Sequence, residues 1–404
     1  MARRRGDGVV SGLGAGQAVR ITALCLGFGA AAAGAHAQVP ASERAGGERY
    51  EVEARRANAA PAIDGVLDDA AWRASTVVDS FIQQEPSEGS AATERTEVRV
   101  LYDPNYLYIG VHAFDSDPLG VIATEKRRDS PQLLQEDNFQ IILDTFRDSR
   151  SGYMFVTNPL GAKLEQQVFE EGGGNAGGAG ANINRDWNGV WEVATTRTSD
   201  GWTAEIAIPM VTVRSPDVDE QIWGVNFMRN IRRKNEQVFW APVPKPFGLT
   251  RVSQAGTLTG MRGVTRGLDL RLKPFLVTGG RRDRTGGSTS SDAQREVGLD
   301  LKYGMTSGLT LDVTVNTDFA QAEVDEQQVN LTRFPLFFPE KRDFFLENSG
   351  QFDLGSQGNS RTAALFFSRR IGLSDTGQPI PVLAGARMTG KVAGHKAADF
   401  QSLD

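Results

Sequence analysis

Residues 97–114 have the sequence EVRVLYDPNYLYIGVHAF, in which two runs rich in β-branched and aromatic residues flank Asp103, Pro104 and Asn105. Successive side chains of a strand point to opposite faces, and runs of this composition are typical of strands. Asp-Pro-Asn between them favours a tight turn. The stretch therefore predicts a β-hairpin.

Three further hairpins are predicted, with turns at residues 147–151, 199–201 and 234–237. Their strands are NFQIILDTF with GYMFVTN, VWEVATTR with GWTAEIAIP, and IWGVNFMRNIRR with VFWAPV. No stretch shows the 3.6-residue period of a long amphipathic helix. The pattern predicts an all-β fold, with an antiparallel, jelly-roll-like β-sandwich over residues 49–262.

The character of the sequence changes after residue 263. In LTLDVTVNTDF, residues 309–319, apolar and polar residues alternate strictly. Strands of about ten residues with one apolar and one polar side are typical of a transmembrane barrel, although a soluble sandwich can carry the same pattern. Residues 263–404 contain only about five such strands, and closed barrels need about eight, so we expect a partial, truncated outer-membrane barrel.

Loop lengths predict an orientation. The turn at residues 305–308 is short, whereas the segments 279–293 and 320–362 are long. Outer-membrane barrels have short periplasmic turns and long external loops, so the sandwich is expected in the periplasm. The long segment contains FPLFFPEKRDFFLENSGQF, which could fill the lumen, line an external loop or pack as a turn onto the strands.

The first 37 residues have the features of a signal peptide. Arginines near the start precede an apolar run over residues 21–34, and Ala35-His36-Ala37 fits a cleavage site. Cleavage removes the single Cys and changes the formal net charge from −6 to about −9. An acidic exported chain without a basic stripe is a poor candidate for binding nucleic acid. Residues 38–48 are interpreted as a linker.

The stretch IDGVLDDAAW, residues 63–72, allows two interpretations. Asp64-Gly65 favours a tight turn, Trp72 is expected to be buried, and Asp68 and Asp69 suit the start of a short helical turn. The alternative is a metal or catalytic role for the carboxylates.

IDGVLDDAAW, EVRVLYDPNYLYIGVHAFD, EDNFQIILDT, GYMFVTNPLG and GWTAEIAIP occur in this order, and together they resemble carbohydrate-binding module family nine. The resemblance covers residues 50–260. DFAQAEVDEQQVNLTRFPLFFPEKRDFFLENSGQF and FFSRRIGL resemble a family of bacterial outer-membrane barrels of uncharacterised function that carry this module. The resemblance implies a sugar held between two aromatic rings and a possible calcium ion.

Stacking on a sugar needs a flat aromatic face beside polar groups. Trp187, next to a Gly-rich segment and Asn188, is the first candidate, followed by Trp240 and Trp191, with burial in the core as the alternative for each. Trp202 and Trp223 are predicted to be core residues. No Trp lies between Trp72 and Trp187, so one half of the clamp is missing unless a Tyr or Phe takes its place.

Calcium prefers carboxylate and carbonyl oxygens. The weak candidates are Glu136, Asp137 and Asp144, with Asp115 and Asp117 behind them, and solvated strand ends are the simpler interpretation. Two His residues in the exported chain and the absence of a thiol argue against zinc.

No residue is predicted to be catalytic. Glu205 alternates outward from a core strand and is expected on a solvated face, while His112 lies within a strand. The predicted function is binding of an oligosaccharide or polysaccharide by an exported module, attached to a barrel in outer-membrane lipid. The alternatives are a hydrolase acting on O-glycosyl bonds, and a transport or assembly barrel with a scaffold domain.

Overall fold

A computed structural model describes residues 50–173, 183–185, 187–265, 270–283, 290–306, 309–316, 344, 371, 382–392 and 395–403. The predicted signal peptide (residues 1–37) and linker (residues 38–48) lie outside the described residues, as does most of the segment 320–362.

The described residues form twenty strands and one short α-helix, with only 3-10 turns besides. The first strands are β1 (Glu51–Glu53), β2 (Arg55–Arg56), β3 (Val77–Val78), β4 (Ile82–Glu85), β5 (Thr96–Tyr102), β6 (Tyr106–Phe114) and β7 (Asn138–Asp144), with α1 (Ala70–Arg73) between β2 and β3. They are followed by β8 (Gly152–Thr157), β9 (Lys163–Val168), β10 (Ile183–Asn184), β11 (Glu192–Thr198), β12 (Gly201–Pro209), β13 (Glu220–Ile231), β14 (Glu236–Phe239) and β15 (Gly256–Arg262). The last five are β16 (Leu270–Asp283), β17 (Ser290–Thr306), β18 (Leu309–Val315), β19 (Ala384–Val392) and β20 (His395–Leu403).

The strands form three sheets. The first has the order β1-β15-β13-β7-β8-β9-β10, with β14 joining β13 to β4. The second has the order β11-β12-β6-β5-β2, with β3 also paired to β5. Pairing is antiparallel except for β1 with β15 and β2 with β5. The predicted all-β, mainly antiparallel sandwich is confirmed.

All four predicted hairpins are present. They join β5 to β6, β7 to β8, β11 to β12 and β13 to β14, each in antiparallel register. Alternate residues of these strands face the space between the first two sheets, for example Ile109 of β6 and Ile141 of β7. Trp202 and Trp223 lie in the same core, as predicted.

A buried carboxylate fixes residues 63–72 against the second sheet. Glu205 accepts hydrogen bonds from the backbone N–H groups of Asp64 and Gly65, both at 2.8 Å, and from Trp72 Nε1 at 2.7 Å. Gly65 has φ +89°, and a Cβ there would lie 2.9 Å from the backbone of Thr195. Residues 63–72 therefore form a close-fitting turn against the outer face of the second sheet.

The prediction that Glu205 lies on a solvated face is wrong, because its exposed fraction is 0%. It does point away from the core, but the segment carrying Trp72 covers that face of the sheet. The structural interpretation of IDGVLDDAAW fits this geometry: Trp72 is buried, and Asp69 accepts a hydrogen bond from Ala62 N at 2.8 Å just before α1.

The third sheet has the order β16-β17-β18-β19-β20, and all its pairs are antiparallel. Among the described residues, β16 and β20 are its edge strands and are not paired with each other. No helix in the described part of the chain is long and apolar enough to cross a membrane.

The turn between β7 and β8 is closed by Asp144. Its carboxylate accepts hydrogen bonds from the backbone N–H groups of Asp148 at 3.1 Å and Ser149 at 2.8 Å. Burial, with a smaller contribution from the carboxylate of Asp148, raises the pKa of Asp144 to about 6. The folded state therefore binds this proton more tightly than the unfolded chain does.

Replacing Glu205 with Leu should lower the free energy of unfolding by about 3 kcal/mol or more, because three buried donors lose their acceptor. All six Trp residues lie between residues 72 and 240, so Trp fluorescence in a urea titration reports on the sandwich. The control is Glu192→Gln, an exposed position of β11, with an expected change within about 0.5 kcal/mol. Equal small effects of both variants would contradict the proposed role of Glu205.

Asp144→Asn should become more stabilising, relative to the wild type, as pH rises. The raised pKa means that charged Asp144 costs stability above about pH 6, and this cost disappears as pH falls towards 4. The difference in unfolding free energy should shift in favour of the variant by up to about 3 kcal/mol between pH 4 and 7. Urea titrations at four pH values measure it. A difference that stays flat across these pH values would contradict the raised pKa of Asp144.

Candidate functional site

The three Trp residues predicted to stack on sugar lie in the core between the first two sheets. Their exposed fractions are 7% for Trp187, 5% for Trp240 and 2% for Trp191. The ring of Trp187 packs against Tyr153, with centroids 5.0 Å apart, and against Phe155 at 5.9 Å. As folded, these rings offer almost no free surface, so a stacking role for them requires neighbouring residues to move and stays a prediction.

The polar groups near Trp187 are already used within the protein. Arg128 donates to the side chain of Asn188 at 2.6 Å and also pairs with the carboxylate of Glu165. Glu165 accepts a second hydrogen bond from Trp191 Nε1 at 2.9 Å, and burial raises its pKa. This edge of the sandwich is a closed network that holds β9 against residues 187–191.

The calcium candidates do not converge on one point. Glu136 and Asp137 lie at the start of β7. Glu136 accepts a hydrogen bond from the N–H of Thr124 at 2.7 Å, and Asp137 accepts one from the N–H of Ile122 at 2.8 Å. Asp144 lies at the far end of β7, about 20 Å away at the rise of a strand.

The remaining two candidates have structural partners. Asp115 pairs with Arg229 at 3.5 Å and with Arg233, and the side chain of Asp117 accepts the N–H of Gly120 at 3.3 Å. In the part of the chain that the structure describes, no group of three or more His, Cys, Asp or Glu residues could hold a metal ion.

An exposed aromatic ring does occur, on the loop after β14. Phe247 is 40% exposed. The loop has Pro at positions 242, 244 and 246, and each Pro restricts φ. The buried amide of Gln84 donates to the carbonyl oxygens of Val243 at 2.8 Å and Phe247 at 2.9 Å. The backbone that carries this ring is therefore fixed from below.

A charged pair lies beside the ring. The guanidinium carbon of Arg251 is 4.4 Å from the ring centroid of Phe247, and Arg251 NH1 is 2.8 Å from Glu171 Oε2. The other carboxylate oxygen of Glu171 accepts the N–H of Ser253 at 3.0 Å. Phe247, Arg251 and Glu171 are called the Phe247 surface below.

The backbone at Glu171 is strained. Glu170 and Glu171 have φ values of 46° and 59°, in the left-handed region that non-Gly residues seldom occupy. The following Gly172 has φ 68° and packs against Thr250, where a Cβ would lie 2.8 Å from the Thr250 hydroxyl oxygen. Strain of this kind persists only when its surroundings enforce it and is concentrated at functional sites.

The base of the Phe247 surface is apolar and rigid. A second hydrophobic cluster covers the outer face of the first sheet and includes Ile142, Met154 and Phe239 from the strands. Leu249 and Val252, from the loop that carries Phe247, belong to the same cluster. The outward ring and the adjacent ion pair therefore rest on packed side chains.

The sequence prediction missed this surface because it sought Trp residues. The available signal was a Phe in a loop rich in Pro, where the ring has no alternating strand to bury it. The chemistry fits sugar recognition: a flat ring for C–H groups, a guanidinium to donate and a carboxylate to accept from hydroxyl groups.

Two family models match the chain. Residues 63–238 match the model described as carbohydrate family 9 binding domain-like. Residues 267–389 match the model described as a domain of unknown function, DUF5916. A search of curated proteins gave no match.

Solved structures resemble about half of the chain. A carbohydrate-binding module of family 9 from Caldicellulosiruptor kristjanssonii, in complex with cellotriose, has 18% identity and a TM-score of 0.35, covering 52% of this chain and 92% of its own. A putative carbohydrate-binding protein from Bacteroides uniformis has 11% identity and a TM-score of 0.42, covering 52% of this chain and 99% of its own. From the family models, the chain contains a carbohydrate family 9 binding domain-like region followed by a DUF5916 region.

Proposed function

We propose that the sandwich binds oligosaccharide or polysaccharide chains and that the Phe247 surface is the binding site. The observation that carries this proposal is an exposed Phe247 ring, held beside the Arg251–Glu171 pair. The ring lies on the same sandwich as residues 63–238, which match a carbohydrate-binding family model, although Phe247 and Arg251 follow the matched range.

The site needs little rearrangement to bind. Gln84 and the apolar cluster already hold the loop, so few side chains lose freedom when a sugar arrives. Preorganised sites lose less affinity to ordering than flexible ones. One face of the Phe247 ring carries the guanidinium, so a pyranose would stack on the opposite face.

We further propose that the chain is exported and that the third sheet is part of an outer-membrane barrel. The support is an inverted burial pattern. Leu276 is 67% exposed and Val297 is 65% exposed, whereas Asp312 is 3% exposed and Arg387 is 2% exposed. An exposed apolar face of this kind is unfavourable in water and is what the lipid-facing side of a barrel requires.

The location of the sandwich in the periplasm follows from the loop-length argument and is part of the same proposal. Glycan capture or uptake at the outer membrane would then combine the two regions: the sandwich holds the sugar and the barrel anchors it.

Phe247→Ala should weaken binding of cello- or xylo-oligosaccharides about tenfold or more, because the stacking face is lost. Isothermal titration calorimetry on the full chain in zwitterionic detergent measures the affinity. Phe114→Ala is the matched control, since Phe114 is also partly exposed and has an Arg side chain above its ring, 5.4 Å from the centroid.

Other outcomes of the same titration separate the alternatives. If Trp187→Ala abolishes binding and Phe247→Ala does not, the site lies where the sequence placed it. Turnover of the sugar by the wild type would favour the hydrolase, and absence of binding would favour the scaffold.

Leu276→Arg should reduce incorporation of the chain into lipid vesicles, because a charge on the lipid face of a barrel costs about 2–4 kcal/mol near the midplane. Flotation of vesicles on a density gradient measures the bound fraction. Leu119→Arg is the control: Leu119 is 95% exposed but belongs to the sandwich, so incorporation should not change. A wild-type chain that stays fully soluble without detergent or lipid would refute the membrane assignment.

A further inference from the structure

The buried and polar side of the third sheet carries a charge pattern that the proposed function does not use. Strand register places Arg271, Lys302, Asp312 and Arg387 side by side across β16 to β19. The next row along the strands contains Lys273, Asp300, Thr314 and Gly385. Paired residues point to the same face, so these two rows line one surface, here called the polar face.

Positive charge exceeds negative charge among the described side chains of this face. Among the residues whose side chains the structure describes, the polar face has four cations (Arg271, Lys273, Lys302 and Arg387) and two carboxylates, a formal balance of about +2. The carboxylate of Asp312 contacts two of the cations, with Arg387 NH2 at 2.8 Å and Lys302 Nζ at 3.6 Å. Asp300 lies opposite Lys273 in the β16–β17 register.

Two of the cations are direct neighbours. Arg271 and Lys302 lie opposite each other in the β16–β17 register. Like charges at opposite cross-strand positions destabilise a sheet. An anion between them would convert this repulsion into two favourable contacts.

The cations of the face differ in exposure. Arg387 is buried under the ring of Phe344, whose centroid lies 5.5 Å from its guanidinium carbon. Arg271 and Lys273 are exposed, and the side chain of Lys302 is 18% exposed. Arg271 NH1 also lies 3.5 Å from the carbonyl oxygen of Asn188 in the sandwich. The open part of the polar face is therefore cationic and borders the sandwich.

We infer that Arg271, Lys273 and Lys302 bind the carboxylate groups of an acidic oligosaccharide, such as one built from uronic acids. The inference rests on the proposed function, because the adjoining carbohydrate-binding region makes a saccharide the relevant carrier of the negative charge. The guanidinium of Arg271 suits a carboxylate through paired N–H donors, and the two ammonium groups add mobile point charges.

The test compares trigalacturonate with its methyl ester and with cellotriose, using calorimetry on the full chain in zwitterionic detergent. The wild type should bind trigalacturonate at least tenfold more tightly than the ester. This preference should shrink between 50 and 300 mM salt, because salt screens exposed charges. Equal affinities for the acid and the ester would overturn the inference without any variant.

Lys273→Gln combined with Lys302→Gln should remove the preference for the acid while leaving cellotriose affinity unchanged. Lys126→Gln, which removes an exposed lysine of the sandwich, is the matched control and should leave the preference intact. A double variant that keeps the wild-type preference would refute the site.

Failure of the proposed function gives a different result. In that case cellotriose would not bind, or Phe247→Ala would not affect its binding, whatever the response to trigalacturonate.

Discussion

Each face of a β-sheet must be covered by other residues, by solvent or by lipid. What covers each of the six faces of the three sheets determines the rest of this structure. The first two sheets bury one face against each other. Their outer faces are covered by chain: the loop that carries Leu249 and Val252 covers the first sheet, and residues 63–72 cover the second. The third sheet is different, because polar residues such as Asp312 and Arg387 are buried while apolar residues such as Leu276 and Val297 are exposed. We propose that lipid covers its exposed apolar face, so the membrane proposal answers the same constraint.

The hairpins were predictable because their information is local. Alternation over six or seven residues determines which side chains share a face, and the intervening Pro, Gly, Asn and Asp residues locate the turns. Alternation cannot show what lies over a face. Glu205 was assigned to the correct side of its strand and to the wrong environment, because its partner Asp64 is 141 residues away in sequence. The contact that buries this carboxylate produces no periodic sequence pattern near Glu205 or near Asp64.

The candidate site was less predictable for a related reason. Trp187, Trp191 and Trp240 are large and mainly apolar, so strands and loops that can bury them do so. Phe247 has neither a strand nor a pattern around it. Its exposure results from Gln84, 163 residues earlier, which binds the carbonyl oxygen of Phe247 and keeps the loop in place. Only the fold shows that the Phe247 ring is exposed.

Carboxamides and carboxylates on the outer faces are largely engaged in holding loops. The side-chain amide of Asn226 donates a hydrogen bond to the carbonyl oxygen of Ala241 and accepts one from its N–H. The carboxylate of Glu136 accepts hydrogen bonds from the N–H of Thr124 and the side-chain amide of Asn158. Groups that are saturated in this way cannot also meet a ligand without leaving a buried donor or acceptor unpaired, which costs about 1–3 kcal/mol each. Recognition is therefore expected where polar groups remain at the surface but rest on a rigid base. In the sandwich this condition is met by Phe247 with Arg251 and Glu171. In the third sheet it is met by the cations of β16 and β17. We propose neutral saccharides as ligands of the first surface and acidic saccharides as ligands of the second.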